Sequence, residues 1–402
     1  MTYCINAYKS LRYTNSGDAM LCCKSENWLD DSNGDQTNIQ RQSFKEALNG
    51  KIATEIRTAL DNGVRHENCK KCWEEEDAGL DSKRILDNNR ARDYWGEEFL
   101  TDKIIEPVIV ELNLGTECNL KCRICGPWSS SQWVKEHFNI FHHDKSKEGF
   151  KEYMKGIKYY QGDWKESSPV WENIEEGMST LKQVDFYGGE PFMVKKNWAL
   201  LQKGIDNGIS KEQILHFNTN GTFFVPEHIE ILKQYKKVLI SLSIDDIGDR
   251  FEYERSGGIW SEVSENIKKF HLLANESETI DATVCITVNN LNVYYIPEVC
   301  EYFDTIGIHY YINFLHGPAY YNIRNIRESV KDKIRHKYLN TVTDRESTKE
   351  NFEKILSFMS GHISTKTTWD EFLKYTNDKD KYRDENFSQT FGEWSQLINE
   401  SN

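Results

Sequence analysis

The stretch 107–126 constrains this chain most. It reads Pro-Val-Ile-Val-Glu-Leu-Asn-Leu-Gly-Thr-Glu-Cys-Asn-Leu-Lys-Cys-Arg-Ile-Cys-Gly. Val108, Val110, Leu112 and Leu114 alternate with Ile109, Glu111 and Asn113, the period of a mostly buried strand. The strand ends at Gly115, and Cys118, Cys122 and Cys125 follow in a loop too short for another element. One such cysteine would be ordinary packing. Three, in a polar loop after a strand, form a ligand set.

Thiolates on one loop approach a single metal centre from one side. Three are one short of a closed tetrahedral zinc site, which would need a fourth ligand such as Cys69 or Cys72. On a [4Fe-4S] cluster they leave one iron open to a non-protein ligand. The spacing of Cys118, Cys122 and Cys125 resembles that of the radical S-adenosylmethionine (SAM) enzymes. The resemblance implies a [4Fe-4S] cluster on the loop after the first barrel strand, with SAM on the open iron. One departure is visible: the residue before the third cysteine is usually aromatic in that family, and here it is Ile124. A changed contact near the cofactor follows, not a lost cluster.

At 402 residues the chain has room for one large domain and one or two small ones. A net charge of -14 argues against a broad nucleic-acid surface. No apolar run has the length of a membrane span, and the first residues lack a signal-peptide apolar region. Ten cysteines in such a chain suggest thiols or metal ligands in a reducing cytoplasm, not a disulfide framework.

Residues 1–95 read as a cysteine-rich module. Asn15-Ser16-Gly17-Asp18 marks a small hairpin before Cys22. Phe44, Ala47, Leu48, Ile52, Ile56 and Leu60 recur at helical spacing over 42–62. Cys69 and Cys72, two residues apart, precede a charged helix over 74–88. That pair serves zinc and Fe–S sites alike, and the thioredoxin context for a redox motif is absent. The pattern Cys4, Gly17, Cys22, Cys69, Cys72 resembles the Twitch auxiliary-cluster module, the short relative of SPASM. That module usually follows the radical SAM core; here it precedes it. The resemblance implies a second Fe–S cluster on Cys4, Cys22, Cys69 and Cys72. Cys23 is a bystander, or exchanges roles with Cys22. A structural zinc knuckle stays open.

Residues 96–106 read as a charged linker. From 107 to 320, strand and helix alternate six times, an α/β partial (β/α)6 TIM-like barrel. Its strands fall at 108–114, 184–187, 214–217, 238–244, 281–288 and 310–315. An insertion over 127–180, rich in aromatics such as Trp133 and Tyr159, reads chiefly as an elaborated first helix. His142 and His143 lack a partner at ligand spacing.

Sites in such a fold lie at the C-terminal strand ends. Gly188-Gly189-Glu190 after the second strand resembles the family motif for the SAM amino group, and Asn218-Thr-Asn-Gly after the third resembles its pocket-lining segment. Ser243 and Arg255 match by position the family's contacts to the SAM carboxylate, with Asp245 a further site-facing residue. An ordinary surface ion pair with Glu252 or Glu254 is the plainer reading of Arg255. Cys285 and Cys300 read as core. His316 falls at the last strand end, where it faces substrate or is simply structural. Residues 325–402 read as a helical C-terminal region without assigned chemistry.

The whole implies reductive SAM cleavage and hydrogen abstraction from a small-molecule or peptide substrate. A reductant such as flavodoxin or ferredoxin would supply the electron. A non-catalytic zinc- or Fe–S-binding protein is the alternative.

Overall fold

Eight strands form one sheet in the computed structural model. They are β1 (Ser10–Tyr13), β2 (Ala19–Met20), β3 (Ile109–Asn113), β4 (Gln183–Tyr187), β5 (Ile214–Thr219), β6 (Lys237–Ser243), β7 (Ile280–Val288) and β8 (Tyr310–Phe314). Their order is β2-β1-β3-β4-β5-β6-β7-β8. The structure describes every residue except Met1, Ala78, Leu114, 162–163, 165–167, 169, 362–365 and 401–402. Leu114 of the predicted first strand therefore lies outside the described residues, as does the side chain of Tyr159.

The six strands β3 to β8 are those the hydrophobic alternation predicts. The hairpin is also present, β1 pairing antiparallel with β2 through Arg12↔Met20 and Tyr13↔Ala19. What alternation did not show is that β1 continues the sheet, running parallel to β3 with Arg12 opposite Glu111. A four-residue strand carries too little pattern to announce its partner.

The chain divides into two compact units. One comprises Met1–Glu117, Lys155–Asn218 and Val225–Leu239; the other comprises Cys118–Met154, Thr219–Phe224 and Ile240–Asn402. In the first unit, register lines up Val110, Val184 and Leu215 in one row and Leu112, Phe186 and Phe217 in the next. All six are fully buried. Phe186 stacks on Phe217 at 4.7 Å, and Trp198 of the helix Lys195–Asp206 stacks on the other side of the row at 5.9 Å from Phe217. Each such side chain contributes roughly 1.5–3 kcal/mol on burial, so this face is where the helix packs. The opposite face is polar: Arg12, Glu111, Asp185 and His216 stand side by side.

Two sequence expectations are corrected. The segment 42–62 is two helices, Phe44–Leu48 and Lys51–Asp61, not one. Ser43 and Glu46 cap the first reciprocally. Gly50 starts the second, because a Cβ there would fall 1.7 Å from the Asp30 carbonyl oxygen. Residues 96–106 are not all linker either: the helix Lys83–Thr101 runs into them, broken only at Gly96, whose φ of 87° is left-handed.

In the second unit β7 and β8 pair in parallel, and helices Glu328–Asn340, Glu346–Ser360 and Lys366–Arg383 build the C-terminal region. The insertion is helical, over Val134–Phe141, Lys147–Gln161 and Val170–Met178. Cys285 and Cys300 are buried.

Candidate functional site

The cysteine loop belongs to the second unit and is tied down at nearly every peptide. Four consecutive carbonyls have side-chain donors. Leu120 O accepts from Ser130 Oγ (2.6 Å), and Lys121 O accepts from Arg383 Nη2 (2.8 Å). Cys122 O accepts from Trp133 Nε1 (3.0 Å), and Arg123 O accepts from Lys379 Nζ (3.0 Å). On the N–H side, Lys121 donates to Ser256 O (3.0 Å) and Arg123 to Glu254 O (2.7 Å). Asn119 is clasped by Asn220, whose Nδ2 donates to its Oδ1 (2.8 Å), while its own Nδ2 donates to Thr222 Oγ1 (3.0 Å). A loop without regular structure is thus held as a rigid ligand platform.

The three thiols feel one another electrostatically. Burial pushes Cys122 up to about 12 and Cys125 to about 11, against the lowering pull of Arg255 on both. A thiolate ligand set requires a metal centre to draw off the protons. Arg255 is no surface pair, being 7% exposed. Its Nη1 lies 3.8 Å from Cys122 Sγ, and its Nη2 meets Asp245 Oδ2 at 2.8 Å. Asp245 in turn accepts from Thr287 N at 3.0 Å. Burial raises its carboxyl, against the lowering pull of Arg255. Ser243 ends β6 half-buried.

In the first unit, Gly188 and Gly189 both have left-handed φ, +79° and +36°. A Cβ on Gly189 would stand 2.1 Å from Glu117 O, so that position excludes any side chain. Glu190 N donates to the same carbonyl (2.7 Å), and the fully buried Glu190 carboxylate accepts from Phe192 N (3.0 Å). Asn218, the penultimate residue of β5, has its Oδ1 buried and without a hydrogen-bond partner among the described residues. Tyr187 OH lies 3.2 Å from His216 Nδ1, which is 3.8 Å from Asp185. His316 ends up beside Phe358 in the second unit, ring to ring at 5.5 Å.

The first unit also gathers Cys4, Cys22, Cys69 and Cys72 around one small cavity, with Arg84 and Asn68 in its wall. Cys23 is exposed and does not line it. Asn68, 1% exposed, locks two ligand segments together: its Oδ1 accepts from Glu26 N (2.9 Å) and Asn27 N (2.6 Å). Arg84 is held by Glu76 (Nη2 to Oε2, 2.7 Å) and by Tyr3 O (2.9 Å), and lies over the Trp73 ring. Burial and the other three thiols push Cys4 far up; burial, Cys22 and Cys72 raise Cys69 to about 12. Among the described residues no three His, Cys, Asp or Glu side chains form a ready site for a single metal ion. Four convergent thiols, one cavity and a neighbouring cation suit an anionic Fe–S cluster.

Sequence reasoning did not find Lys379, Arg383, Trp133, Asn68 or Arg84. The first two are more than 250 positions from the loop they hold, and a lone basic residue on a charged helix carries no signal of a distant carbonyl.

Comparison with known proteins defines the class. Residues 112–293 match the Radical SAM superfamily, and residues 4–73 match SPASM, an iron-sulfur cluster-binding domain. The chain thus carries a radical SAM domain and, N-terminal to it, a SPASM-type iron-sulfur cluster-binding domain, which imply a [4Fe-4S] cluster, SAM and auxiliary Fe–S. Solved structures are similar at low identity. anSMEcpe with bound AdoMet is 19% identical, with a TM-score of 0.39, over 64% of this chain and 63% of that one. Streptococcus suis SuiB bound to S-adenosylmethionine is 14% identical, with a TM-score of 0.37, over 84% and 69%. The chain thus spans 63% of the length of anSMEcpe. No curated protein matches it. Among the described residues no helix is long and apolar enough to cross a membrane.

Proposed function

We propose that Cys118, Cys122 and Cys125 hold the SAM-binding cluster and that this enzyme abstracts hydrogen from a small-molecule or peptide substrate. The observation that carries the first part is the cysteine loop itself, three thiols on a platform whose four consecutive carbonyls 120–123 are all held by side-chain donors. When bound and reduced by a one-electron donor such as flavodoxin or ferredoxin, the cluster and SAM supply reductive carbon–sulfur cleavage and a hydrogen-abstracting radical.

The chain's own residues bind and orient. Gly188 and Gly189 keep side chains out, so that backbone approaches the ligand closely. Glu190, already turned by Phe192 N–H, would accept from the SAM ammonium. Asn218 offers a free acceptor. Ser243 and Arg255 would face the SAM carboxylate, with Asp245 fixing the guanidinium. Cys4, Cys22, Cys69 and Cys72 would hold the auxiliary cluster, which would take an electron from a substrate radical or fix the substrate's position.

The test is anaerobic reconstitution followed by dithionite reduction with SAM. The expected products are 5′-deoxyadenosine and methionine. A colourless protein that holds zinc and leaves SAM intact would favour a non-catalytic metal-binding protein.

A further inference from the structure

Three cations lie buried against the cysteine loop, and only two have anionic partners. Arg123 pairs with Asp380 (2.5 Å) and with Glu385. Arg383 pairs with Glu136 (2.8 Å). Lys379, 1% exposed, donates to Arg123 O and to Tyr321 OH, both at 3.0 Å. It also lies 5.0 Å from the Trp133 ring and 4.9 Å from the Tyr321 ring. Among the described residues no carboxylate stands within ion-pairing distance of it.

An uncompensated buried ammonium is costly, and folds retain one only where an anion completes it. Burial and the neighbouring Arg123 and Arg383 drive Lys379 well below the ordinary lysine range; Glu136, itself committed to Arg383, and then Cys125 pull the other way. The one anionic body the loop is built to carry is a thiolate-ligated cluster, more negative still when reduced. A point charge beside it favours the reduced form.

The geometry points to Lys379, on the C-terminal helix Lys366–Arg383, as a positioning residue for the cluster on Cys118, Cys122 and Cys125. It pins the Arg123 carbonyl and supplies the positive charge that eases the cluster's reduction. Arg383, which pins the next-but-one carbonyl, is its partner in the same task. The inference rests on the assignment of that cluster to those three cysteines.

The test uses the full chain with both Fe–S sites loaded, and follows by EPR the reduced signal that shifts when SAM is added. Iron per chain, far-UV circular dichroism and the midpoint potential of that signal are measured for the parent, Lys379→Met, Lys379→Arg and Arg383→Gln. Lys379→Met should fold and hold iron, with its midpoint more negative by at least about 59 mV, a tenfold fall in the reduced-to-oxidised ratio for one electron. Lys379→Arg should restore most of the shift. Loss of the SAM-responsive signal alone, in folded Lys379→Met or Arg383→Gln that keeps its auxiliary iron, also supports the role. An unchanged midpoint in a fully loaded Lys379→Met overturns it. If that variant does not fold, an unchanged midpoint in Arg383→Gln does so instead. A parent without any SAM-responsive signal would refute the cluster assignment, a distinct failure.

Discussion

The two cysteine sites differ in what holds them. The four-cysteine cavity is assembled from three short segments within the first ninety residues, locked by Asn68 and walled by Arg84. The three-cysteine loop is one continuous segment, and beside the nearby Trp133 its geometry is imposed from far away in sequence, by Ser256, Lys379 and Arg383. On the proposed assignment, the first site would saturate its cluster with protein ligands, whereas the second would leave a position open and need a stiffer frame, because a loop with a missing ligand cannot rely on the metal to shape it.

The comparison can be broken most sharply at the cysteines. Cys118→Ala, Cys122→Ala or Cys125→Ala should each abolish SAM cleavage, while auxiliary iron persists. With all three replaced, about four irons should remain if the auxiliary cluster is [4Fe-4S], whose ligands are four cysteines. Wild-type cleavage in any single variant would remove the loop from the chemistry, and zinc in place of the remaining iron would make the N-terminal site a structural knuckle.

Next in size is Glu190→Ala. A charge-assisted hydrogen bond contributes about 1.5–3 kcal/mol, a roughly ten- to hundredfold change in SAM affinity. Cluster absorption should stay at the parent level. Equal affinity in fully loaded protein would show that Glu190 does not touch the ligand.

Smaller still is Asn68→Ala. It leaves two amides, Glu26 N and Asn27 N, without their side-chain acceptor, a destabilisation of about 1–3 kcal/mol by thermal melting. Auxiliary iron should be retained poorly, and SAM cleavage without substrate should continue at the parent rate. Equal losses at both clusters would erase the distinction between the sites.

Much of this was legible in sequence because it depends on local pattern. The hydrophobic runs announced β3 to β8, and cysteine spacing grouped the thiols that the fold brings together in each unit. Gly189 reads only as part of a ligand-binding motif; that a Cβ there would fall 2.1 Å from the Glu117 carbonyl oxygen is visible only in the fold. What escaped was non-local. The break at Gly50 comes from the Asp30 carbonyl, twenty residues upstream. The parallel pairing of β1 with β3 joins segments about a hundred residues apart. Its position after β6 places Arg255 at the site, but sequence does not show that its ion-pair partner is Asp245 and that its other contact is Cys122 Sγ. The C-terminal helix read as a charged tail because Lys379 and Arg383 look like any solvated lysine and arginine until the fold buries them.

The most direct measurement is EPR of the dithionite-reduced, fully loaded protein with and without SAM. It is repeated on the variant lacking Cys118, Cys122 and Cys125. The parent should show two reduced Fe–S signals, of which one changes on SAM addition. The triple variant should keep only the signal that SAM leaves alone. A SAM-dependent change that survives in the triple variant would contradict the assignment of SAM binding to the three-cysteine loop.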